Sequence, residues 1–144
     1  MDIRWISKTH AVGPQIALDD IDTLRAGGFV GVICNRPDGE NPPELAAAAF
    51  AEHSAAAELA FLMNPMGPQA PIAATVEQQA AFMGRAEGPT FAYCASGTRS
   101  AMIWCLGHAQ DLGADGVLAS ARGAGYDLEH LRPTLEALAA GAAL

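Results

Sequence analysis

The sequence predicts an α/β fold: a small, mainly parallel sheet flanked by helices, with nothing but helix after the last strand. Three observations lead there. Continuous apolar runs such as residues 29–34, set between Gly27-Gly28 and Arg36-Pro37, read as strands buried on both faces. Helical stretches alternate with these runs as far as Tyr93. From Ser100 onward the pattern is helix after helix.

In chain order, residues 3–7 and 11–13 read as short opening strands. Asp19 or Asp20 is expected to cap a helix reaching Ala26, which Gly27-Gly28 ends. The 29–34 strand follows. Pro42-Pro43 opens an Ala-rich helix over 44–58, because proline suits a first turn and alanine its interior. Residues 59–63 form a second short apolar run, and the loop 64–71 holds three prolines and a glycine. A helix over 75–85 takes Thr75 as its cap. Gly88-Pro89 then announces a third buried strand at 90–93. Helices are expected over 100–112, 115–122 and 127–139, the last two parted by Gly123-Ala124-Gly125, and the Ala-rich tail reads as a frayed end.

With 144 residues, 51% of them hydrophobic and 17% charged, the chain can bury a core, and one domain over 1–144 is expected. Its net charge of −8 argues against nucleic acid and anionic membranes as partners, since both demand dense positive charge. No apolar run has the length of a membrane span, and the first residues lack the pattern of a secretion signal. The three cysteines, Cys34, Cys94 and Cys105, cannot all pair internally and read as free thiols of a reducing, cytoplasmic compartment. The histidines His10, His53, His108 and His130 show no metal-ligand spacing, so no metal or other cofactor is expected. Oligomeric state is not legible.

The segment that carries chemistry is Phe91-Ala92-Tyr93-Cys94-Ala95-Ser96-Gly97-Thr98-Arg99-Ser100. A buried strand ends at a cysteine, a tight glycine-containing loop follows, and a helix begins at Arg99 or Ser100. Backbone N–H groups of such a loop, together with the helix N-terminus, make a cradle for an oxyanion, here Ala95, Ser96, Gly97, Thr98 and Arg99. The same field is expected to lower the Cys94 pKa and make it a nucleophile. Arg99 brings a planar fork suited to two anion oxygens. Ser100 is expected to donate a hydrogen bond to the sulfur and help it leave. Cys34 and Cys105, by contrast, read as core. Asn35-Arg36-Pro37-Asp38-Gly39-Glu40 leaves the C-terminal end of a parallel strand, where open α/β sheets place ligands. Arg36 is therefore a candidate anion-binding residue, equally readable as an ion-pair partner of Glu40, and Asp38 a candidate catalytic acid.

This loop resembles those of two cysteine-based families, the protein tyrosine and dual-specificity phosphatases and the rhodanese sulfurtransferases. Four residues separate Cys94 from Arg99, as in many single-domain rhodaneses, whereas phosphatases usually space the pair one residue further apart. Tyr93 also stands where phosphatases usually carry a histidine. The helical remainder of the chain matches phosphatases instead. Over residues 3–131 the chain resembles the beta-lactamase-hydrolase-like family. The resemblance is carried by Val12-Gly13-Pro14-Gln15, Gly28-Phe29, the 35–40 segment, the 93–100 segment and Ala124-Gly125-Tyr126-Asp127. It implies a bacterial phosphatase-like domain that occurs alone or joined to a metallo-hydrolase, itself a possible partner. The expected activity is hydrolysis of a phosphate ester through a phosphocysteine, with a small anionic substrate. The alternative is rhodanese-like transfer of sulfane sulfur from a donor, since fused members are associated with sulfide metabolism. Phosphatases of this type place a general acid, usually Asp, where Asn64 stands, 30 positions before Cys94. An amide cannot supply that proton. Asp38 or Glu40 must substitute, or the leaving group must need none.

Overall fold

The computed structural model describes all 144 residues. Five strands form one sheet in the order β1-β2-β5-β3-β4. They are β1 (Arg4–Trp5), β2 (His10–Gly13), β3 (Gly31–Cys34), β4 (Ala60–Met63) and β5 (Thr90–Tyr93). Only β1 runs antiparallel; the other pairings are parallel. Every residue of β2, β3 and β5 is buried, whereas β4 is an edge strand and half-exposed. Side chains alternate between the two faces as strand geometry requires. Ala11, Val32 and Phe91 face a core beneath α1 (Asp20–Ala26) and α2 (Ala47–Ala56), while Val12, Ile33 and Ala92 face a larger core. That larger core is closed by α3 (Ile72–Arg85), α4 (Thr98–Gly123) and α5 (Arg132–Ala139). β3 reads as an unbroken apolar run because both of its faces are covered.

β5 matches its expected bounds, and α1 does so within a residue. Neither Asp19 nor Asp20 makes a side-chain cap, however. Asp20 Oδ2 instead accepts the N–H of Ala17, one turn ahead of the helix (2.8 Å). The helix expected from Glu44 is a 3-10 turn, Pro43–Leu45, followed by an extended Ala46, and α2 starts only at Ala47. The cause is distant in sequence: Asp38 Oδ1 accepts the Ala47 N–H at 2.8 Å and fixes the start there. Conversely α3 begins a turn earlier than expected, at Ile72. Thr75 is not its cap; it lies buried inside the helix, and its hydroxyl donates to Pro65 O at 3.1 Å, tying the 64–71 loop down. The expected helices 100–112 and 115–122 form a single element bent at Gly113 (φ 75°, ψ 163°), a conformation glycine adopts without penalty. Asp127 begins no helix: it accepts the N–H of Glu129 (3.2 Å), and α5 starts at Arg132 after the 3-10 turn Glu129–Leu131.

Two cysteines are core residues, as expected. Burial pushes the Cys105 thiol up to about 12, and burial likewise raises that of Cys34, whose S–H reaches Arg36 O at 3.3 Å. His10 is fully buried, with Nδ1 at 2.7 Å from the Thr90 hydroxyl. Burial, and then the nearby His108, lower its pKa to about 3. It stays neutral in the fold but takes up a proton near pH 6.5 when unfolded, so the unfolded chain binds more protons between those values. Stability should therefore fall as the pH drops below about 6.5, with His10 contributing up to about 1.4 kcal/mol per pH unit. Urea unfolding at pH 7, 5.5 and 4.5 measures this slope, and His10→Gln should flatten it whatever its effect at pH 7.

Candidate active site

β5 delivers Cys94 to the C-terminal edge of the sheet, between β2 and β3. Two backbone bonds brace the loop against its neighbour on the β2 side: Cys94 N to Gly13 O (3.4 Å) and Gln15 N to Ala95 O (3.2 Å). Cys94 is fully buried, and the Gly97 N–H donates to its Sγ at 3.1 Å. The N–H groups of Ala95, Ser96, Arg99 and Ser100 donate to no protein acceptor. Thr98 N makes only a long contact with Ser96 Oγ (3.4 Å), and its hydroxyl lies 3.0 Å from the same atom. Four unpaired amides thus lie in the loop that follows the sulfur and at the start of a long helix, where free N–H groups and the helix dipole favour negative charge.

Gly97 is where the loop turns into α4, at φ 94°. A β-carbon there would run into the Tyr126 hydroxyl and the Gly13 backbone. The tyrosine is not idle: it donates to Ser96 O at 3.1 Å and is covered by the Arg4 guanidinium, 5.3 Å from its ring centre. Arg4 in turn donates to Ala124 O (3.4 Å). Gly97→Ala should lower turnover by about 10²-fold or more, because the left-handed turn costs an alanine roughly 1–2 kcal/mol and the collision swings loop amides off their target. Steady-state kinetics of Gly97→Ala and of Gly97→Ala combined with Tyr126→Ala test this. The second change relieves the collision with the hydroxyl but neither the Gly13 contact nor the backbone strain, so partial rescue is expected.

Arg99 lies half-buried with its fork engaged. Nη2 and Nη1 donate to Glu40 Oε1 (2.7 Å) and Oε2 (2.8 Å), and Nη1 also reaches Met66 O (3.0 Å). Glu40 is the main cause that raises the Arg99 pKa, with a smaller part from Cys94. Arg99 first, and Arg36 after it, hold the Glu40 carboxyl below its usual range. Glu40 is thus a fixed anion that orients Arg99, which rules it out as the substitute acid. Arg36 does pair with Glu40, at 3.4 Å, and its fork also donates to Gln15 Oε1 and Glu40 O, both at 3.2 Å. Asp38 is exposed and spends one oxygen on Ala47 N–H, leaving Oδ2 free of protein donors.

Ser100 requires a correction. Its hydroxyl does not donate to the sulfur; it donates to Asn35 Oδ1 at 2.8 Å, both residues being buried. The Asn35 amide is oriented by donating to Asn64 O (2.8 Å) and Gln79 Oε1 (2.9 Å), which leaves its oxygen facing Ser100. Ser100 therefore ties the start of α4 to the end of β3. Asn64 belongs to the same network, giving its own Nδ2 to Thr75 O (2.8 Å) and Gln79 Oε1 (3.4 Å). The residue at the expected acid position is thus a buried structural amide. Asn64→Asp should not restore an acid. It would aim a carboxylate at two carbonyl oxygens and cost on the order of 3 kcal/mol at neutral pH, with less loss at pH 5 where protonation relieves the repulsion. Urea unfolding at the two pH values gives the comparison.

Sequence reasoning brings Cys94, its loop and Arg99 together, and places Arg36 and Asp38 on the neighbouring strand's exit. It does not single out Gln15, Asn35 or Tyr126 for the contacts they make, nor Glu40 as the partner of Arg99. The only signal for these is their presence in the short motifs that carry the family resemblance.

A strand ending in cysteine, an amide cradle, an arginine fork and helices alone thereafter define a phosphatase-like domain with the fold of cysteine-dependent phosphatases. The chain belongs to the family described as beta-lactamase hydrolase-like protein, phosphatase-like domain, whose model matches residues 2–111. It is 31% identical over 106 residues to a beta-lactamase hydrolase-like protein of Agrobacterium fabrum, covering 74% of this chain and 25% of that protein. The chain thus spans about a quarter of the length of that curated relative. Among solved structures it is similar to a candidate phosphatase of Neisseria meningitidis Z2491, with a TM-score of 0.80 and 28% identity over 94% of this chain and 97% of that one. Tk-PTP in its active form gives a TM-score of 0.70 at 16% identity, covering 94% and 96% of the two chains. The catalytic core of the PP-IP phosphatase SIW14 from S. cerevisiae, solved with citrate, gives 0.66 at 11% identity, covering 94% and 84%. These last two show the fold. Sulfur transfer, the alternative raised by the loop spacing, finds no support in these relatives. No helix is long and apolar enough to cross a membrane.

Proposed function

We propose that this chain hydrolyses small phosphate monoesters through a phosphocysteine on Cys94. The observations that carry the reading are a buried Cys94 sulfur that accepts the Gly97 N–H, four unpaired amides in its loop and at the start of the next helix, and an arginine fork held by Glu40 at the loop's end. The Cys94 thiolate attacks phosphorus while the phosphoryl oxygens lie on the amides of the 95–100 loop and on Arg99; the sulfur–phosphorus bond forms as the ester phosphorus–oxygen bond breaks. Glu40 positions Arg99, and Ser100, through Asn35, positions the start of α4. Water then attacks the phosphocysteine, inorganic phosphate departs, and the sulfur leaves as thiolate. For the leaving oxygen, Asp38 is the carboxylate with an unengaged atom in the neighbouring loop. An aryloxide leaves without help, whereas absence of an efficient acid costs roughly 10²–10⁴-fold on an alkyl ester. Aryl phosphates are therefore the favoured class.

The test is turnover of p-nitrophenyl phosphate in EDTA, with acid quenching and intact-protein mass spectrometry during the reaction. Release of p-nitrophenolate together with one phosphoryl group on the peptide bearing Cys94 is expected. Turnover with no such adduct at any quench time, or no turnover of any aryl phosphate, overturns the reading.

A further inference from the structure

Two arginines meet at one carboxylate in this site, and only one of them is matched. Arg99 occupies both oxygens of Glu40, at 2.7 and 2.8 Å. Arg36 approaches the same Oε1 with Nε, but at 3.4 Å and outside hydrogen-bond geometry, so that this buried N–H has no acceptor. The remaining Arg36 contacts are to neutral oxygens, Gln15 Oε1 and the Glu40 carbonyl, each at 3.2 Å. Its side chain is only 19% exposed. A largely buried cation with one shared counter-ion is costly unless something else completes its shell.

The position of Arg36 indicates what that is. Its guanidinium holds the side chain of Gln15, and the Gln15 backbone N–H bonds Ala95 O, the first residue of the loop (3.2 Å). Arg99 projects from the loop's other end. The two guanidiniums are no further apart than their contacts to Glu40 Oε1 laid end to end. Nε itself is enclosed, but Nη1 and Nη2 each hold a single neutral oxygen and keep one further N–H, so an anion engaged by Arg99 has a second cation nearby for a neighbouring anionic group.

We propose that Arg36 forms a second anion subsite beside the 94–100 loop, selecting phosphate esters that bear another phosphate next to the one transferred: organic diphosphates or adjacent bisphosphates. The assignment rests on the phosphatase reading for the transferred group, but the subsite can be measured without turnover. Calorimetric titration with orthophosphate and with pyrophosphate is run on wild type, Arg36→Met and Arg36→Lys, alongside inhibition of p-nitrophenyl phosphate turnover by both anions. Wild type should bind pyrophosphate at least about tenfold more tightly, a difference of about 1.4 kcal/mol. Arg36→Met should bring the ratio to within about twofold, and Arg36→Lys, which keeps the charge, should retain most of it. Equal affinities in wild type overturn the subsite, as does binding of neither anion. So does an Arg36→Met variant that loses affinity for both anions equally, because Arg36 then only braces the loop. Selective pyrophosphate binding without turnover leaves the subsite standing and removes the phosphatase reading. Turnover without selectivity does the reverse.

Discussion

Exchanging one atom, sulfur for oxygen in Cys94→Ser, should lower turnover of p-nitrophenyl phosphate by about 10⁴-fold or more, the scale on which deletion of a covalent nucleophile is felt. Sulfur is intrinsically a far better nucleophile than an alcohol oxygen, which needs an adjacent base to attack at all. No general base stands beside position 94 to compensate: the atom bonded to the sulfur is an N–H donor, Gly97 N. The loop amides are backbone groups and survive the substitution, as does the Tyr126 clamp on Ser96 O. Orthophosphate should therefore still bind to Cys94→Ser, and this separates loss of chemistry from loss of the loop. Residual activity above about one part in a hundred, once contaminating phosphatase is excluded, would be incompatible with a phosphocysteine.

Arg99→Lys should cost about 10³-fold in kcat/KM, within the range found when the arginine that stabilises a phosphoryl transition state is removed. Charge is conserved, so a merely electrostatic role would leave most of the activity. What is lost is the planar fork. In the resting site that fork spans both Glu40 oxygens while touching Met66 O, a set of three acceptors that a single ammonium on a flexible stem cannot match. The loss should fall mainly on kcat, because the equatorial oxygens meet the fork most closely in the transition state. A change confined to KM would assign Arg99 to ground-state binding alone.

What the sequence reveals, and what it hides, follows from range. β5, the loop and the start of α4 are contiguous, and their signals, an apolar run, a cysteine, a glycine and a helix start, are local; they are legible to within a residue or two. The boundaries that differ are set from elsewhere. Ala47 begins α2 because Asp38 takes its N–H, and Thr75 lies inside α3 because its hydroxyl has a partner in Pro65. The same holds within the site. Ser100 directly follows Arg99 in the chain, yet its acceptor, Asn35, lies 65 positions away, and Glu40 lies 59 positions from Arg99. No spacing rule reaches across such separations. Asn64 is the instructive case, since its position suggests a missing acid whereas its contacts give it a different task, linking α3 to the ends of β3 and β4.

The clamp on the loop comes from the far side of α4. Tyr126, with Leu128 and Leu135 buried near it in the same core, lies past residue 111, where the family match stops. A fragment cut at that boundary would retain the nucleophile, the arginine and every motif up to the first part of α4. It would lack the hydroxyl that fastens Ser96 and much of the packing behind the sheet. The catalytic unit is therefore longer than the 2–111 match, and excision or domain-swapping experiments on this chain should carry the segment through α5.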